Sequence, residues 1–460
     1  MTAPLILGTN SIKDTGYDVD NSLRFNSGSS DSLTRSTTAG TRTTWTFSTW
    51  FKRSKLGVLQ SILEHDDSNY FRIRLTSGDV FEVFDSNGNH TWNWNPLLRD
   101  TSAWYHIVLR GDSTDGTNGN RLRLYINGTL ASANTVASIS QNYTFSFNQG
   151  GTLQIGKRGS TDFFDGYLAE TILIDGSALA PDQFGEFDSD SPTIWKPKNP
   201  SGLTFGSQGF YLDYKDSSAL GNDVSGNNKD FTVNNLTAVD QSTDTCTNNF
   251  TTLNPLLDVY NPAIFSNGNL TATGSGSGNG RYAFSSFAVA NGKWYYEVKV
   301  TVAGSNPYVG VIDAQSTLRR NSIYFVAAAS GTNQSGYAVN MTGDIYHNNS
   351  NSYASNIGNT STGDILGFAI DLDSAQRTCE IYRNGSSQRS FNLDEPTSGF
   401  YLLGASSTYN QSSAVADMNF GSPAYAISSG NQDGNGYGNF EYAVPSGYYA
   451  LNTKNLAEYG

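Results

Sequence analysis

The stretch GKWYYEVKV, residues 292–300, decides the fold of the second half of this chain. Its side chains alternate along an extended backbone: Trp294, Tyr296 and Val298 point to one side, whereas Glu297 and Lys299 point to the other. A period of two is typical of a β-strand with one face in a core and one face towards solvent. The stretch therefore predicts a half-buried strand in a sheet.

Three further segments follow in a fixed order: YVGV at 308–311, GDILGFAIDLD at 363–373 and EIYRNG at 380–385. The last contains Asn384-Gly385, a pair that favours the positive φ angles of a two-residue hairpin. Together with residues 292–300 this ordered set resembles the SPRY family. The resemblance implies a β-sandwich over 270–444 that recognises other molecules and catalyses no reaction.

The first half carries its own series of short alternating strands between Gly, Asn, Asp and Ser turns, which predicts a second sandwich over 22–187. The strings are WTFSTWF at 45–51, AWYHIVL at 103–109, LRLYING at 122–128 and FDGYLAETILI at 164–174. Their order resembles the laminin-G or concanavalin A-like jelly roll. The predicted fold class is all-β, with two sandwiches joined by a loop-rich connector.

The connector, residues 188–269, resembles connectors in structural proteins of marine tailed bacteriophages, on strings such as GFYLDY at 209–214 and NNFTTLNP at 248–255. The closing segment 445–460, with YALNTKNL at 449–456, adds to that resemblance. It implies a virion protein, assembled in the host cytoplasm and localised on the virion. Residues 1–21 lie outside both sandwiches and are predicted to be a docking segment.

Composition excludes several classes of partner. The 460 residues carry a net charge of -13, and Lys and Arg are scattered. Nucleic acid is therefore not expected as a partner, because phosphate binding needs clustered positive charge. No run of ~20 apolar residues is present, so no membrane insertion is expected. Cys246 and Cys379 fall in different modules and predict no disulfide framework; Cys379 is expected to face a core.

No catalytic residues are predicted. Glycoside hydrolases of the jelly-roll class need two carboxyl groups held rigidly on one strand face. The nearest string, EFDSDSP at 186–192, is polar and ends in Pro, which favours a solvated loop. His106 is interpreted as a packed strand residue, since no Cys/His spacing of a zinc site is present.

Two tryptophans are candidates for a glycan platform. In HTWNWNP, residues 90–96, Trp92 and Trp94 share one strand face, and Tyr70 and Phe84 lie on neighbouring predicted strands. Exposed rings of this kind stack on sugar rings, so Trp92, Trp94 and Tyr70 are the candidate ligand-binding residues. The alternative is that these rings fill the sandwich core, where Trp is usually found.

A calcium ion is the one cofactor considered. Asp216, Asp223, Asn227 and Asp230 bring hard oxygen ligands into a glycine-broken loop, as calcium prefers. The alternative is that these residues form turns, which Asp and Asn also favour.

The resemblances and exclusions together predict a non-enzymatic phage protein displayed as a tail fibre, tail tip or head-surface appendage. Its expected partners are other virion proteins and host cell-surface glycans. A homo-oligomer is expected, most simply a trimer, since repeated copies multiply weak contacts. The alternatives are a purely structural decoration or connector protein and, more remotely, a glycan-cleaving enzyme.

Overall fold

The computed structural model describes residues 16–257, 259, 261–274, 281–301, 306–316, 326–327, 336–409 and 415–460. The fold is all-β, and the chain divides into two compact units. We call Thr15–Thr247 the first unit and Asn248–Gly460 the second unit.

The described strands of the first unit are, in chain order, β1 (Ser22–Phe25), β2 (Ser32–Thr37), β3 (Thr44–Arg53), β4 (Gln60–Asp66), β5 (Tyr70–Leu75), β6 (Val80–Asp85), β7 (His90–Leu97), β8 (Trp104–Asp112), β9 (Leu122–Ile126), β10 (Thr129–Leu130), β11 (Ala133–Thr135), β12 (Gly151–Ile155), β13 (Gly166–Asp175), β14 (Gly185–Phe187), β15 (Trp195–Pro197), β16 (Phe210–Leu212), β17 (Thr232–Asn234) and β18 (Gln241–Ser242). Short 3-10 helices cover Asn118–Asn120, Pro181–Gln183, Pro200–Gly202 and Ala238–Asp240. Pro181 is the first residue of its helix, a position that Pro favours.

Two large antiparallel sheets form the body of the first unit, and β14 and β15 pair in a separate two-stranded sheet. Sheet 1 has the order β10-β9-β8-β3-β13-β1-β18, with β16 also paired to β13. Sheet 2 has the order β11-β7-β6-β5-β4-β12-β2-β17. Alternate residues of both sheets meet in one apolar core, among them the fully buried Trp45, Phe47, Phe71, Phe81 and Leu109. This is the predicted sandwich, and alternation along each strand is its cause.

The predicted range of the first sandwich, 22–187, is too short. β16, β17 and β18 lie in the predicted connector 188–269, yet each adds a strand to a sheet of the first unit. β17 and β18 cover the edges of sheets 2 and 1, where backbone N–H and C=O groups would otherwise lack partners. Residues 188–247 therefore belong to the first sandwich, and 248–269 belong to the second unit.

The predicted docking segment 1–21 also needs correction where it is described. Val19 is buried, and its backbone N–H donates to Thr247 Oγ1 at 3.0 Å. Asp20 forms an ion pair with Lys215 at 3.0 Å. Residues 16–21 thus pack on the first unit. Residues 1–15 of that prediction lie outside the described residues.

The described strands of the second unit are β19 (Ile264–Ser266), β20 (Thr271–Thr273), β21 (Arg281–Ala283), β22 (Ala288–Val289), β23 (Lys293–Val300), β24 (Asn306–Asp313), β25 (Tyr337–Val339), β26 (Ile345–His347), β27 (Ser350–Ala354), β28 (Ile365–Asp371), β29 (Arg377–Arg383), β30 (Ser386–Leu393), β31 (Tyr401–Tyr409), β32 (Val415–Asn419) and β33 (Tyr449–Ala450). A helix, α1, follows at Thr453–Tyr459. Sheet 3 runs β19-β20-β32-β23-β28-β29-β30, and sheet 4 runs β21-β31-β24-β25-β26-β27.

Strand β23 is buried on both faces, which the sequence did not predict. Trp294, Tyr296 and Val298 enter the core, as expected. On the opposite face Tyr295 and Glu297 are buried too, because residues from Phe440 to Ala450 pack over them.

The predicted tail 445–460 is therefore part of the second sandwich. β33 pairs in parallel with β23, and Asn452 caps α1 by accepting from the backbone N–H of Asn455.

Two smaller predictions for this unit are confirmed. Asn384 and Gly385 both have positive φ, 49° and 77°, and connect β29 to β30 in a tight hairpin. Cys379 is buried in the core of the second unit, and both Cys379 and Cys246 are free thiols.

Candidate functional site

The tryptophans of β7 lie inside the sandwich and not on its surface. Trp92 is 1% exposed and Trp94 is 2% exposed, and both belong to the core of the first unit. Trp94 packs edge-on against Phe81. A ring enclosed on all sides cannot stack on a sugar, so the glycan-platform hypothesis is wrong for Trp92 and Trp94, and the core interpretation holds.

Tyr70 lies on the opposite face of sheet 2. Alternation in β5 sends Phe71, Ile73 and Leu75 into the core and leaves Tyr70 half-buried on the outer face. Phe84 on β6 faces the same way, and the two rings stack with centroids 5.8 Å apart and planes 27° from parallel. The structure therefore brings Tyr70 and Phe84 together, without either Trp.

Two arginine–glutamate pairs flank these rings. Arg72 Nε donates to Glu64 Oε1 at 2.5 Å, and the Arg72 guanidinium lies 3.7 Å from the centroid of the Tyr70 ring. Arg74 donates from Nε at 2.8 Å and from Nη2 at 2.5 Å to Oε1 of Glu82. The register β5–β6 sets Arg74 directly opposite Glu82. Carboxylates thus fix both guanidinium groups in one orientation.

We call this surface the Tyr70 face, defined by Glu64, Tyr70, Arg72, Arg74, Glu82 and Phe84. Glu64 is further held by Gly159, whose N–H donates to Oε2 at 3.0 Å, and by Gln154 Nε2 at 3.3 Å. The face presents two half-buried aromatic rings and the oriented guanidinium groups of Arg72 and Arg74, whereas Glu64 is buried and only positions Arg72. Such a combination binds the apolar ring faces and the hydroxyl groups of sugars.

Sequence reasoning missed the charged half of this face. The string YFRIRL at 70–75 contains the signal, because a period of two places Arg72 and Arg74 on the same side as Tyr70. Glu64 and Glu82 come from β4 and β6, and only the strand register reveals that they reach these arginines.

The predicted calcium residues form turns instead. Asp223 Oδ1 accepts the backbone N–H groups of Tyr211 and Ser225, and Oδ2 accepts the N–H of Lys229. Asp230 accepts the N–H of Asp223, and Asp216 closes a turn onto Ser218. Asn227 uses its side-chain amide as a donor to Gly206 and Gly209.

Within the described part of the chain, no three His, Cys, Asp or Glu side chains are grouped to hold a metal ion. The carboxylates of Asp216, Asp223 and Asp230 accept hydrogen bonds from the chain itself. The turn interpretation accounts for them and for Asn227.

The loop at 186–192 and the buried histidines also have packing roles. Asp188 accepts the N–H groups of Asp190 and Ser191 and pairs with Lys196 at 3.2 Å, which stabilises a turn. Burial lowers the pKa of His106 to about 3 and that of His65 to about 4. Both imidazoles are therefore neutral at pH 7.

Residues 26–183 match the family model described as the concanavalin A-like lectin/glucanases superfamily. The matched residues include strands of both large sheets of the first unit. A search of curated proteins found no match. No helix among the described residues is long and apolar enough to cross a membrane.

Solved structures with similar folds come from several sources. A heptameric SAP-like pentraxin from Limulus polyphemus is 16% identical, with a TM-score of 0.28, over 36% of this chain and 81% of that one. A human SPRY domain is 14% identical, with a TM-score of 0.25, over 35% of this chain and 94% of that one. Domain 4 of an extracellular arabinanase from Geobacillus stearothermophilus, in complex with arabinotriose, is 16% identical, with a TM-score of 0.25. The match covers 31% of this chain and 65% of that one.

Proposed function

We propose that this chain is a non-enzymatic glycan-binding protein that a tailed bacteriophage displays on its particle, and that the Tyr70 face is its sugar-binding surface. The stacked Tyr70–Phe84 pair between two fixed arginines is the observation that carries the glycan part. The family model matched by residues 26–183 includes lectins by its description, which supports the same assignment.

The rings and charges of the face suit a neutral or weakly polar sugar chain. Each arginine already has a carboxylate partner within 2.5 Å, so the face carries no net excess of positive charge from these four residues. Neutral sugars need shape, stacking and hydrogen bonds more than charge. The expected ligand is a surface polysaccharide of the host.

The same pairs argue for binding without cleavage. A glycoside hydrolase needs one carboxyl group as a proton donor and a second one as base or nucleophile. Glu64 and Glu82 are the carboxylates of the face, and both are held in ion pairs with arginine. The Oε1 atoms of both carboxylates already accept hydrogen bonds from the guanidinium groups, which argues against either residue acting as proton donor or nucleophile.

The virion part rests on the resemblance of the connector strings GFYLDY and NNFTTLNP and of the closing string YALNTKNL to phage structural proteins. Antibodies raised against the full chain should label particles of a phage that encodes it. Particles without the chain would remove the virion assignment and leave the glycan assignment standing.

Binding of the full-length chain to host polysaccharides, measured by glycan array or surface plasmon resonance, tests the site. Tyr70→Ala and Phe84→Ala should each weaken binding, by about 0.5–1.5 kcal/mol for the loss of a stacked ring. Phe187→Ala is the matched control, since Phe187 is 46% exposed but lies on β14, away from the face.

Equal loss in all three variants, or unchanged binding in the first two, would remove the site. New reducing ends after incubation with the polysaccharide would support cleavage instead. No binding to any glycan, together with stable incorporation into particles, would favour the purely structural alternative.

A further inference from the structure

Glu170 on β13 is a buried acid with an unusual backbone. It is 4% exposed, and its φ of +49° lies in the left-handed region that side chains other than Gly rarely adopt. The pairing of β13 with β3 shifts register between Ala169 and Ile172, so Glu170 sits in a bulge. Bulges re-aim side chains, and strained backbone of this kind collects at positions with a role beyond packing.

Two phenols meet the carboxyl group of Glu170. Tyr211 Oη lies 2.8 Å from each carboxyl oxygen, and Tyr17 Oη lies 3.4 Å from Oε2 and 3.4 Å from Tyr211 Oη. Among the described residues Glu170 has no ion pair. The positive charge of Lys215 lowers the pKa of Glu170, but Lys215 is itself paired with Asp20 at 3.0 Å.

The titratable and charged groups around Glu170 are therefore mostly neutral or negative. They are the phenols of Tyr17, Tyr211 and Tyr214, the thiol of Cys246, the carboxylate of Asp213 and the ammonium of Lys215. Burial is the main cause that raises the pKa of Glu170 to about 7, although the hydrogen bond from Tyr211 opposes it. Glu170 accordingly changes charge near neutral pH.

Tyr17 belongs to a short segment, residues 16–20, that we call the entry segment. The contacts that hold it on the first unit include the Tyr17 phenol on Glu170, the ion pair Asp20–Lys215, and Val19, whose N–H donates to Thr247 Oγ1 at 3.0 Å. Thr247 Oγ1 donates in turn to the Val19 carbonyl at 3.1 Å. Cys246 packs in the same apolar cluster as Val19 and Tyr17.

We propose that Glu170 is a proton-operated latch for the entry segment: the neutral carboxyl keeps Tyr17 and Val19 packed over Cys246, and the ionised carboxylate releases them. The physical reason is the cost of a desolvated carboxylate without a counter-ion, which hydration relieves once Tyr17 moves away. The direction follows from linkage. A carboxyl group whose pKa is raised in the closed state stabilises that state below its ordinary pKa of 4.5, and the stabilisation is lost as the pH rises through about 7.

Alkylation of Cys246 in the full-length chain reports the opening. Peptide mass spectrometry distinguishes alkylation at Cys246 from alkylation at Cys379. The alkylation rate of Cys246 in the urea-unfolded chain, measured at each pH, corrects for the change in the thiolate fraction. The corrected rate at Cys246 should rise roughly tenfold between pH 6 and pH 8. Glu170→Gln, which stays neutral, should keep the rate low at both values, whereas Tyr17→Phe should raise it at pH 6.

Glu395→Gln is the control, because Glu395 is an exposed acid of the second unit, and it should behave as wild type. The same pH response in wild type and in Glu170→Gln would overturn the latch. If Glu170→Gln does not fold, amide hydrogen exchange of Val19 in the wild-type chain decides. Its protection, corrected for the intrinsic rate, should fall between pH 6 and pH 8, and constant protection would overturn the proposal.

Discussion

Trp195 Nε1 donates a hydrogen bond to His106 Nδ1 at 3.0 Å, and so joins the hairpin β14–β15 to the outer face of sheet 1. On its other side the imidazole stacks on Trp50, with ring centroids 4.6 Å apart. Because Nδ1 accepts, Nε2 carries the proton and donates to Ser48 Oγ at 2.9 Å. Trp195, from the predicted connector, thus completes the packing around His106 of the predicted jelly roll.

The first prediction concerns the boundary between the units. A fragment 16–247 should unfold in one cooperative transition, whereas a fragment 16–187 should be unstable, because it lacks β16, β17, β18 and the ring of Trp195. Urea unfolding followed by Trp fluorescence checks this. A fragment 16–187 that is as stable as 16–247 would contradict the boundary at residue 247.

The second prediction concerns acid. His106 is neutral when folded, with a pKa of about 3, whereas an unfolded histidine titrates near ~6.5. The unfolded chain therefore takes up the proton first, and stability is intact above ~6.5 and falls as the pH drops below it. Between pH 7 and pH 5, His106 should lower the free energy of unfolding by about 2 kcal/mol.

Urea unfolding of the full-length chain at both pH values, followed by Trp fluorescence, measures that loss. His106→Gln should be less stable at pH 7 but should lose about 2 kcal/mol less on acidification. An equal loss in wild type and variant would show that His106 does not titrate on unfolding. His90→Gln is the control, since His90 is only half-buried.

The third prediction concerns calcium. Asp223→Ala should destabilise the first unit by about 1–3 kcal/mol, since it leaves the N–H groups of Tyr211 and Lys229 without their acceptor. The loss should be the same with millimolar calcium and with chelator, because Asp223 oxygens bind donors of the chain itself. Thermal unfolding in both buffers checks it, and a calcium-dependent difference would restore a metal role.

The fourth prediction concerns the end of the chain. Glu297 accepts the N–H groups of Glu441 and Tyr442 at 3.0 and 2.9 Å and the side-chain amide of Asn419 at 3.1 Å. Glu297→Ala should therefore cost several kcal/mol, at about 1–3 kcal/mol for each buried donor left unpaired. The exposed Glu395 provides a control variant, Glu395→Ala, for which a change below about 0.5 kcal/mol is expected.

Truncation after residue 444 tests how the last residues of the chain pack on β23. It removes β33 and α1 and uncovers Tyr295 on β23. Near-ultraviolet circular dichroism of a fragment 248–444 should show the loss of fixed aromatic packing. A fully native signal would mean that residues 445–460 do not contribute to the packing of the second unit.

The sequence alone determined that both halves are sandwiches, because a period of two in strands such as 70–75 and 292–300 has a single structural solution, in which one set of alternate residues enters a core. It also determined the hairpin at Asn384-Gly385, since few residues accept positive φ, and the burial of Cys379, whose strand alternates. These features depend only on neighbours along the chain.

Only the tertiary structure decided which face of each strand is buried and what completes each sheet. Alternation separates Tyr70 from Phe71 within β5 and Thr91 from Trp92 within β7, but only the pairing of β5, β6 and β7 shows that Trp92 faces the core and Tyr70 does not. The bond from Trp195 to His106 and the cover of Glu297 by residues 441–442 join positions 89 and 144–145 residues apart. Contacts at such separations follow from strand order, and local periodicity contains no information about that order.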